Sequence, residues 1–314
     1  MTRIDTMAPV HSAGPCADEL RRRVSSETLV RRDEPMSRRT TLRVGGPADV
    51  YVEPASERDL AEVIRFCAAR AVRFLVLGRG SNLLVRDGGF RGVVISLAHP
   101  HFSGIELDGN RLRCGAGARL KDVAIAARRH GLSGLEFLEG IPGSVGGALR
   151  MNAGAMNSAT FDIVAAVRVM DYAAEIREMA PSAMEVTYRR CGVLERMIAL
   201  AAVFEGRPDS QEAIAQRMLA FSRKRWASQP AAPSAGCIFK NPITVPAGRL
   251  IDELGCKGLR VGAAVVSQEH GNFIVNEGGA TARDVLKLIE LLREQALARR
   301  GIDLETEVEI VGED

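Results

Sequence analysis

The sequence has few aromatic residues and no concentration of charge. Only 4% of its 314 residues are aromatic, and 42 Lys+Arg against 39 Asp+Glu leave a formal net charge of +3. The basic residues are almost all Arg and are spread thinly along the chain. A nucleic-acid-binding protein needs a concentrated basic face, and one that binds single strands also stacks bases on aromatic rings. We therefore expect no nucleic-acid partner.

The chain also has no long apolar run. The longest, 197–204, has eight residues, whereas a membrane-spanning helix needs about 20. Near the N-terminus, Arg3 is followed by Asp5 and then by no apolar segment, so the pattern of a secretory signal is missing. We expect no membrane partner and a cytoplasmic location.

The six cysteines and five histidines lack the spacing of a structural bridge or a metal site. The sequence contains no C-x-x-C, no H-E-x-x-H and no close pair of cysteines. Disulfide frameworks and zinc sites need tighter patterns than this one. We therefore expect neither a disulfide framework nor a bound metal.

What is present is enough apolar sequence for ordinary folded domains. Hydrophobic residues make up 46% of the chain, and its length allows two or three domains. Strand-like and helix-like patterns alternate over 41–205, but hairpins are frequent, which favours an α+β fold over a doubly wound parallel sheet. Gly and Pro near position 206 are typical of a linker. We predict domains over 35–206 and 207–314, after a poorly ordered N-terminal arm, 1–34, that holds at most a weak helix at 17–32.

Local signals predict the elements of the first domain. The segment 48–53 has a strand pattern, and Ser56 with Asp59 forms a capping box in front of an amphipathic helix. A hairpin is predicted with Asp108-Gly109 at its turn. A helix over 120–130 is predicted to end at Gly131.

The second domain is predicted to contain two long helices. One covers 210–227, and the other covers 281–299 with Thr281 and Asp284 as a capping box. The second helix has an apolar stripe that we expect to be buried: Val285, Leu288, Ile289 and Leu292. Strand-like pieces lie at 261–266, 272–276 and 304–311.

Two glycine-rich segments are candidate cofactor sites. In 78–82, two glycines with Ser81 and Asn82 can direct several backbone N–H groups toward one anion, as in a phosphate nest. A strand pattern follows, so the segment fits neither the dinucleotide-binding fingerprint nor a P-loop. An ordinary hairpin turn is the alternative.

The second glycine-rich segment is 134–155. It has glycines at 140, 143, 146, 147 and 154. A backbone that gives up side-chain packing so often commonly passes close to a ligand. A long glycine-rich loop is the alternative, but glycine lowers stability inside elements, and this favours contact with a cofactor.

Three further segments carry polar or ionisable groups in strand-like or glycine-flanked contexts. They are Tyr188-Arg189, 233–242 and 305–308. Each has a plain alternative, namely a surface arginine, a buried cysteine and a solvent-facing acid on an edge strand. None of these segments identifies a function by itself.

Taken together and in this order, these segments resemble the UDP-N-acetylenolpyruvoylglucosamine reductases, also called UDP-N-acetylmuramate dehydrogenases. These are flavoenzymes of peptidoglycan precursor synthesis. The resemblance covers about 36–312 and includes eight segments in family order: TTLRVGGPADVYVEP, LGRGSNLLV, GFRGVVISL, GLSGLEFLEGIPGSVGGALRMNAGA, SAGCIFKNP, AGRLIDELGCKG, NFIVNEGGATARDVL and LETEVEIVG.

The resemblance implies a flavin-binding domain of the vanillyl-alcohol-oxidase type, with two α+β subdomains, and a C-terminal α+β substrate domain. It implies FAD as the cofactor, and we expect non-covalent FAD because 78–83 contains no His or Cys that could tether it. The short connection from MNAGA to Tyr188 resembles the shorter subtype, which lacks a substrate-closing loop. The residues implied to contact FAD are Gly78, Arg79, Gly80, Ser81, Asn82, Leu83, Gly140, Ile141, Pro142, Gly143, Ser144, Gly146 and Gly147.

In the implied reaction NADPH reduces FAD, and hydride then passes to the enolpyruvyl ether of UDP-N-acetylglucosamine. Negative charge that develops beside the substrate carboxylate must be stabilised and then protonated. By the resemblance, Arg189 and Glu307 are catalytic, while Tyr188, Lys240 and Asn241 line the pocket for substrate and nicotinamide. The implied partners are these two small molecules.

Cys237 lies where the family usually has its proton-donating serine. A thiol has a reference pKa of about 8.5, far below that of an aliphatic hydroxyl, so it is the stronger acid. We predict that Cys237 donates the proton, although sulfur is larger and forms weaker hydrogen bonds. Val186-Thr187 and Arg190-Cys191, which flank the Tyr-Arg pair, also depart from the family, so the resemblance implies the reaction more firmly than the detail of the substrate pocket.

Two rival hypotheses stay open. One is an FAD-dependent oxidase of the same flavin-domain superfamily that acts on an alcohol or sugar and consumes oxygen without NADPH. The other is a flavin- or nucleotide-binding module that binds the UDP-sugar but does not oxidise NADPH. The missing tether in 78–83 disfavours the first, and the retained Arg189 and Glu307 disfavour the second.

Overall fold

The chain alternates between two units, each with its own hydrophobic core. The structure, a computed structural model, describes residues 13–314. Within them, unit 1 contains 13–33, 49–79 and 92–224, and unit 2 contains 34–48, 80–91 and 225–314.

The described residues form seven α-helices with clear local causes. Ser56 precedes the second helix and its hydroxyl accepts from the Asp59 amide at 3.1 Å. The seventh has both halves of the predicted Thr281–Asp284 capping box and ends at Gly301. The helices are α1 Ala13–Arg23, α2 Glu57–Ala69, α3 Leu120–Arg129, α4 Val145–Arg150, α5 Gln211–Trp226, α6 Ala247–Glu253 and α7 Ala282–Arg300.

The strands are short and mostly joined by tight connections. In chain order they are β1 Leu29–Pro35, β2 Pro47–Glu53, β3 Phe74–Leu77, β4 Leu83–Val85, β5 Phe90–Ser96, β6 Ile105–Asp108, β7 Arg111–Gly115, β8 Leu132–Ser133, β9 Gly154–Ala155, β10 Ser158–Ala159, β11 Val164–Met170, β12 Ile176–Met179, β13 Val186–Thr187, β14 Arg190–Cys191, β15 Ile198–Glu205, β16 Arg207–Pro208, β17 Ser234–Cys237, β18 Arg260–Val261, β19 Ala264–Val266, β20 Phe273–Asn276 and β21 Glu309–Val311.

Unit 1 is built around two sheets. Four strands have the order β1-β2-β5-β3, with β3 parallel to β5, and five antiparallel strands have the order β12-β11-β15-β7-β6. Apolar residues from these sheets and from α2 and α3 form one buried cluster, which includes Val63, Val93, Val123, Val167 and Phe204. The sheets fix the end of β3, which the candidate segment 78–82 follows directly. They also fix the end of β7, and the residues after it hydrogen-bond to the candidate segment 134–155.

Unit 2 has an antiparallel sheet of order β17-β20-β19-β18 and a parallel pair, β4 with β21. Helix α7 packs on β18 and β19. Its predicted apolar stripe is confirmed as buried: Val285, Leu288, Ile289 and Leu292. The mixture of antiparallel sheets and helices confirms the predicted α+β class.

The predicted arm is wrong for residues 13–34. They form α1 and β1 instead, while 1–12 lie outside the described residues. The buried carboxylate of Asp59 accepts from the Ser25 amide at 2.9 Å, from the Ser25 hydroxyl at 2.7 Å and from Thr28 at 3.0 Å. The connection between α1 and β1 is therefore fixed to α2 by contacts 31 and 34 residues apart in sequence, which local composition does not reveal.

Two further expectations need correction. The compact units are not the contiguous domains 35–206 and 207–314, since 34–48 and 80–91 belong with the C-terminal part and the last division falls inside α5. In the hairpin of β6 and β7, Asp108 pairs with Arg111, so the two turn residues are Gly109 and Asn110. In the described part of the chain, none of the helices is long and apolar enough to cross a membrane.

Candidate active site

The two glycine-rich segments meet in unit 1 at Gly78. A Cβ atom on Gly78 would lie 2.8 Å from Oγ of Ser144 and 3.8 Å from Cα of Gly147. A side chain at position 78 would therefore displace the Ser144 hydroxyl, whereas glycine leaves room for this hydroxyl between the end of β3 and the start of α4. The approach brings two segments that resemble FAD-binding motifs to one place.

Two arginines lie beside this contact. Burial lowers the pKa of Arg79, and the nearby charge of Arg119 lowers it further, while Asp122 partly offsets both. The backbone of Arg119 pairs with Ser144. Two guanidinium groups that repel each other at a glycine-rich turn fit a ligand with strong negative charge. These residues of unit 1 therefore fit a cofactor that carries a pyrophosphate.

The segment around α4 is held by its own backbone. The Leu120 amide donates to the Gly143 carbonyl at 3.2 Å, and the amides of Val145 and Gly146 donate to carbonyls of the 116–118 segment at 2.9 and 2.8 Å. Within the described chain, the Ser144 side chain makes no capping bond to α4. Ile141 is half-buried, whereas Pro142 and Gly147 are exposed. The exposed residues and the Ser144 hydroxyl are what this segment can offer a cofactor.

Tyr188 and Arg189 form the turn between β13 and β14. Arg189 has a φ of +57°, which costs a non-glycine residue energy and is found preferentially at functional sites. Its guanidinium carbon lies 5.3 Å from the centre of the Tyr188 ring, and Tyr188 is 58% exposed. The amide of Asn152, in the MNAGA segment, donates to the Thr187 carbonyl at 3.2 Å and so supports the turn.

In unit 2, Cys237 lies at a β-bulge. Ser234 pairs with Val275 and Cys237 with Phe273, so β17 contains one more residue than β20 in this interval. Gly236 supplies the left-handed backbone, with a φ of +74°. Bulges turn the following side chain and are frequent beside active sites. The bulge therefore places Cys237 differently from a regular strand residue.

Cys237 also differs in exposure from four of the other five cysteines, while Cys16 is half-buried as well. All six are free thiols, but Cys67, Cys114, Cys191 and Cys256 are buried, whereas Cys237 is half-buried. Burial raises the pKa of Cys114 to about 12, which keeps that thiol protonated and inert. The structure thus does not support the alternative of Cys237 as a buried apolar residue.

Glu307 lies on the segment that pairs with 238–240. Its amide donates to the Ile238 carbonyl at 2.8 Å, and the Lys240 amide donates to the Glu305 carbonyl at 2.9 Å. Thr306 and Phe239 form the bridge between these two bonds. Glu307 is therefore paired with the residue directly after Cys237, and unit 2 brings two predicted catalytic residues together.

The 80–83 segment lies beside Glu307 as well. The side-chain amide of Asn82 donates to the Glu307 carbonyl at 3.0 Å, and the Asn82 carbonyl accepts from the Glu309 amide at 3.0 Å. Leu83 is buried and pairs with Glu309. The Gly80 carbonyl accepts from the Thr41 amide at 3.1 Å. A Cβ atom on Gly236 would lie 3.7 Å from the Ser81 carbonyl oxygen, so this segment lies beside the bulge before Cys237 as well as beside Glu307.

Lys240 and Asn241 already have protein partners. The Lys240 ammonium forms an ion pair with Glu305, and the side-chain oxygen of Asn241 accepts from the Ala247 amide at 3.0 Å, at the start of α6. A ligand that uses Lys240 must compete with Glu305. For Asn241 the side-chain NH₂ group is the donor left for a ligand.

Two residues with a place in these sites were not singled out from the sequence. Arg119 stands before the first residue of α3, where a basic residue gives no distinctive signal, and Asn272 binds the backbone of Phe239. Arg119 comes close to the glycine-rich segment only because its backbone pairs with Ser144. Asn272 reaches Phe239 only because it stands directly before β20. Among the described residues, no group of three His, Cys, Asp or Glu side chains is arranged to hold a metal ion.

Two family models match separate parts of the chain. Residues 229–311 match the family model described as UDP-N-acetylenolpyruvoylglucosamine reductase, C-terminal domain. Residues 48–180 match the model described as FAD binding domain. The second match contains Gly78 and the whole of α4, and the first contains Cys237 and Glu307.

Relatives match over almost their whole length. The chain is 47% identical to a UDP-N-acetylenolpyruvoylglucosamine reductase of Heliobacterium modesticaldum, with 89% of this chain and 90% of the relative covered. It is 44% identical to one of Geobacter metallireducens, with 95% and 99% covered. The crystal structure of a UDP-N-acetylenolpyruvylglucosamine reductase from Thermus caldophilus is similar with a TM-score of 0.80 and 39% identity, over 90% of this chain and 98% of that one.

Proposed function

Since the chain belongs to the UDP-N-acetylenolpyruvoylglucosamine reductase family, we propose that its substrate is the enolpyruvyl ether of UDP-N-acetylglucosamine and its product UDP-N-acetylmuramate. The chain is a flavin-dependent oxidoreductase of peptidoglycan precursor synthesis, with FAD as cofactor and NADPH as co-substrate. When bound, FAD supplies the hydride chemistry between NADPH and the methylene carbon of the substrate. The remaining work falls to side chains of the protein.

For the cofactor, we assign Gly78, Arg79, Ser144 and Gly147 of unit 1 to the FAD pyrophosphate and its neighbourhood. The close approach at Gly78 and the paired cations Arg79 and Arg119 support this assignment. The other FAD contacts expected from the resemblance, in 80–83 and 140–146, stay predictions. Residues 78–83 contain no His or Cys that could tether the flavin, so we propose that the binding is non-covalent.

Arg189 has the role of stabilising the substrate enolate. A guanidinium stays charged at any physiological pH and can bind two oxygens at once. Its half-buried position reduces screening by water, which strengthens its attraction for the charge that develops next to the carboxylate. Tyr188 in the same turn, together with Lys240 and Asn241, is assigned to substrate and nicotinamide binding.

Cys237 has the role of proton donor, with Glu307 acting together with Arg189 on the enolate. The proton passes from Sγ of Cys237 to the carbon next to the carboxylate, and the thiolate recovers a proton from solvent. The observation that carries this proposal is the pairing of Glu307 with Ile238, which holds the glutamate next to Cys237. The expected cytoplasmic location and the shorter subtype stay predictions.

The proposal is tested by following the two half-reactions of the Cys237→Ala variant separately by rapid mixing. Reduction of the bound flavin by NADPH should stay nearly unchanged, because it needs no proton donor for the substrate. Reoxidation by the enolpyruvyl substrate should slow by about 10²–10⁴, the usual contribution of a positioned general acid.

Cys237→Ser is the matched control, since a hydroxyl can also give a proton, and it should recover much of the lost rate. Cys256→Ala removes a buried thiol of the same unit and should leave both half-reactions intact. Wild-type reoxidation by Cys237→Ala would remove Cys237 from the mechanism and leave a water molecule as the donor.

A further inference from the structure

We propose that Asn272 is a positioning residue for the Cys237–Glu307 pair, a role that rests on the function proposed above. Asn272 is 2% exposed and precedes β20, whose residue Phe273 pairs with Cys237. The side-chain hydrogen bonds of Asn272 go to the backbone of Phe239. Asn272 acts on the strand segment between Cys237 and Glu307.

The Asn272 amide binds both backbone groups of Phe239. Its Oδ1 accepts from the Phe239 amide at 2.9 Å, and its Nδ2 donates to the Phe239 carbonyl at 2.8 Å. The Asn272 carbonyl accepts from the Ile238 amide at 2.9 Å. The Asn272 side chain thus extends the hydrogen bonding of the sheet by one residue before the start of β20. Three bonds from one residue hold the segment that follows Cys237.

The opposite edge of the same segment holds Glu307. The Ile238 carbonyl accepts from the Glu307 amide, and the Lys240 amide donates to the Glu305 carbonyl. Backbone bonds to Asn272 and to Glu307 therefore alternate along 238–240. Any displacement of this segment moves Cys237 relative to Glu307, and small displacements of catalytic groups have large effects on rate.

Asparagine meets the needs of this position because it carries a donor and an acceptor in one plane. Aspartate keeps the acceptor but sets a second oxygen against the Phe239 carbonyl. Alanine leaves two buried backbone groups without their bonds, which is costly. The backbone amide of Asn272 donates to Nδ1 of His270 at 3.1 Å, and this bond holds Asn272 itself in place.

Asn276, the last residue of β20, offers a matched control. It is 7% exposed, and its amide also binds backbone, namely the carbonyl of Leu42 at 3.1 Å and the amides of Gly278 and Ala280 at 2.9 and 3.1 Å. These partners lie outside 237–240 and 305–308. Asn276→Ala therefore removes a comparable buried amide without loosening the segment after Cys237.

The test compares Asn272→Ala and Asn276→Ala in the FAD-loaded enzyme. Asn272→Ala should slow substrate-dependent reoxidation of the flavin by about 10²-fold and leave its reduction by NADPH nearly unchanged. Asn276→Ala should lower the thermal midpoint but change neither half-reaction substantially. Equal slowing of both half-reactions in Asn272→Ala, or equal effects of the two variants, would overturn the proposal. If Asn272→Ala does not fold, Asn272→Asp is measured with the same expectations.

A double-substitution cycle separates this inference from the proposed function. If Asn272 acts mainly by positioning Cys237 relative to Glu307, adding Asn272→Ala to Cys237→Ala should cause much less slowing than Asn272→Ala causes alone. Slowing of the same size in both backgrounds would show that Asn272 acts elsewhere and would contradict the inference. Full activity of Cys237→Ala alone would contradict the proposed role of Cys237 as the proton donor, whatever Asn272 does. A readout without catalysis is the alkylation rate of Cys237 by iodoacetamide, which should change in Asn272→Ala and not in Asn276→Ala.

Discussion

At position 237 the chain has a thiol where its family usually has a hydroxyl, and the surroundings explain how the site accepts sulfur. The residue follows a glycine bulge and is half-buried, so the larger atom does not have to fit into a closed core. The four buried cysteines lack this freedom. A thiol at this position is therefore compatible with the proposed proton donor, although sulfur is larger than oxygen and forms weaker hydrogen bonds.

Arg189 can be tested by a substitution that keeps its charge. Arg189→Lys retains the cation but loses the planar group that binds two oxygens, so it should slow the second half-reaction more than flavin reduction by NADPH. Rapid-mixing measurements of both half-reactions check this. Arg190→Lys, in the same hairpin but paired with Glu195, is the control and should leave both rates almost unchanged. Equal losses in both half-reactions would mean that Arg189 is structural or contacts the nicotinamide.

At the scale of elements, local sequence signals located helices and strands well but not their long-range attachments. The Thr281–Asp284 box, the stop at Gly131 and the stripe from Val285 to Leu292 depend on neighbours within one or two helical turns, and the structure confirms them. The attachment of α1 and β1 to the rest of the unit depends instead on Asp59, which lies 34 residues away from Ser25 in the sequence. No periodicity within residues 13–34 contains that information.

We expect Asp59 to make the protein sensitive to acid. Burial alone would raise the pKa of Asp59, but hydrogen bonds from Ser25, Thr28 and Ser56 outweigh it and hold the pKa below its ordinary value. A carboxyl with a depressed pKa in the folded state stabilises the fold above its unfolded-state pKa of about 3.9, and this contribution disappears as the pH falls through the folded-state pKa.

Asp59→Asn should therefore lower the free energy of unfolding at neutral pH by about 1.5–3 kcal/mol, as for hydrogen bonds to a charged group. The difference from the unsubstituted protein should shrink at acid pH. Urea unfolding at several pH values measures both. Asp18→Asn, which removes an exposed partner of Arg21 and Arg32, should have a small effect. A pH-independent difference for Asp59→Asn would show that the lost packing, not the charge, matters.

At the scale of the whole molecule, the sequence identifies the family but not the interleaving of the units. Sequence motifs are local, whereas the division depends on pairings such as Leu83 with Glu309, which join β4 to the last strand. The same limit applies to the sites. Cys237 and Glu307 were singled out because each is an ionisable residue in a motif with an implied role. Asn272 begins one of the eight family segments but carries no chemical signal there, and its bonds to Phe239, like the pairing of Arg119 with Ser144, arise only in the fold.

The bound flavin gives a prediction for the whole molecule. We expect the purified protein to be yellow and to release its flavin into the supernatant after denaturation, because 78–83 has no residue that could tether it. Added FAD should raise the thermal midpoint, since a ligand that binds only the folded state stabilises it by about 2.7 kcal/mol at 100 times its Kd. Flavin that stays with the precipitated protein would contradict the non-covalent assignment.

The most direct test of the central claim is NADPH oxidation by the FAD-loaded protein with and without the enolpyruvyl ether of UDP-N-acetylglucosamine. We predict rapid turnover only when this substrate is present, with one UDP-N-acetylmuramate formed for each NADPH consumed and no matching uptake of oxygen. Turnover of an alcohol or sugar with oxygen and without NADPH would contradict this prediction in favour of an oxidase. Binding of the UDP-sugar without any NADPH oxidation would contradict it in favour of a non-catalytic module.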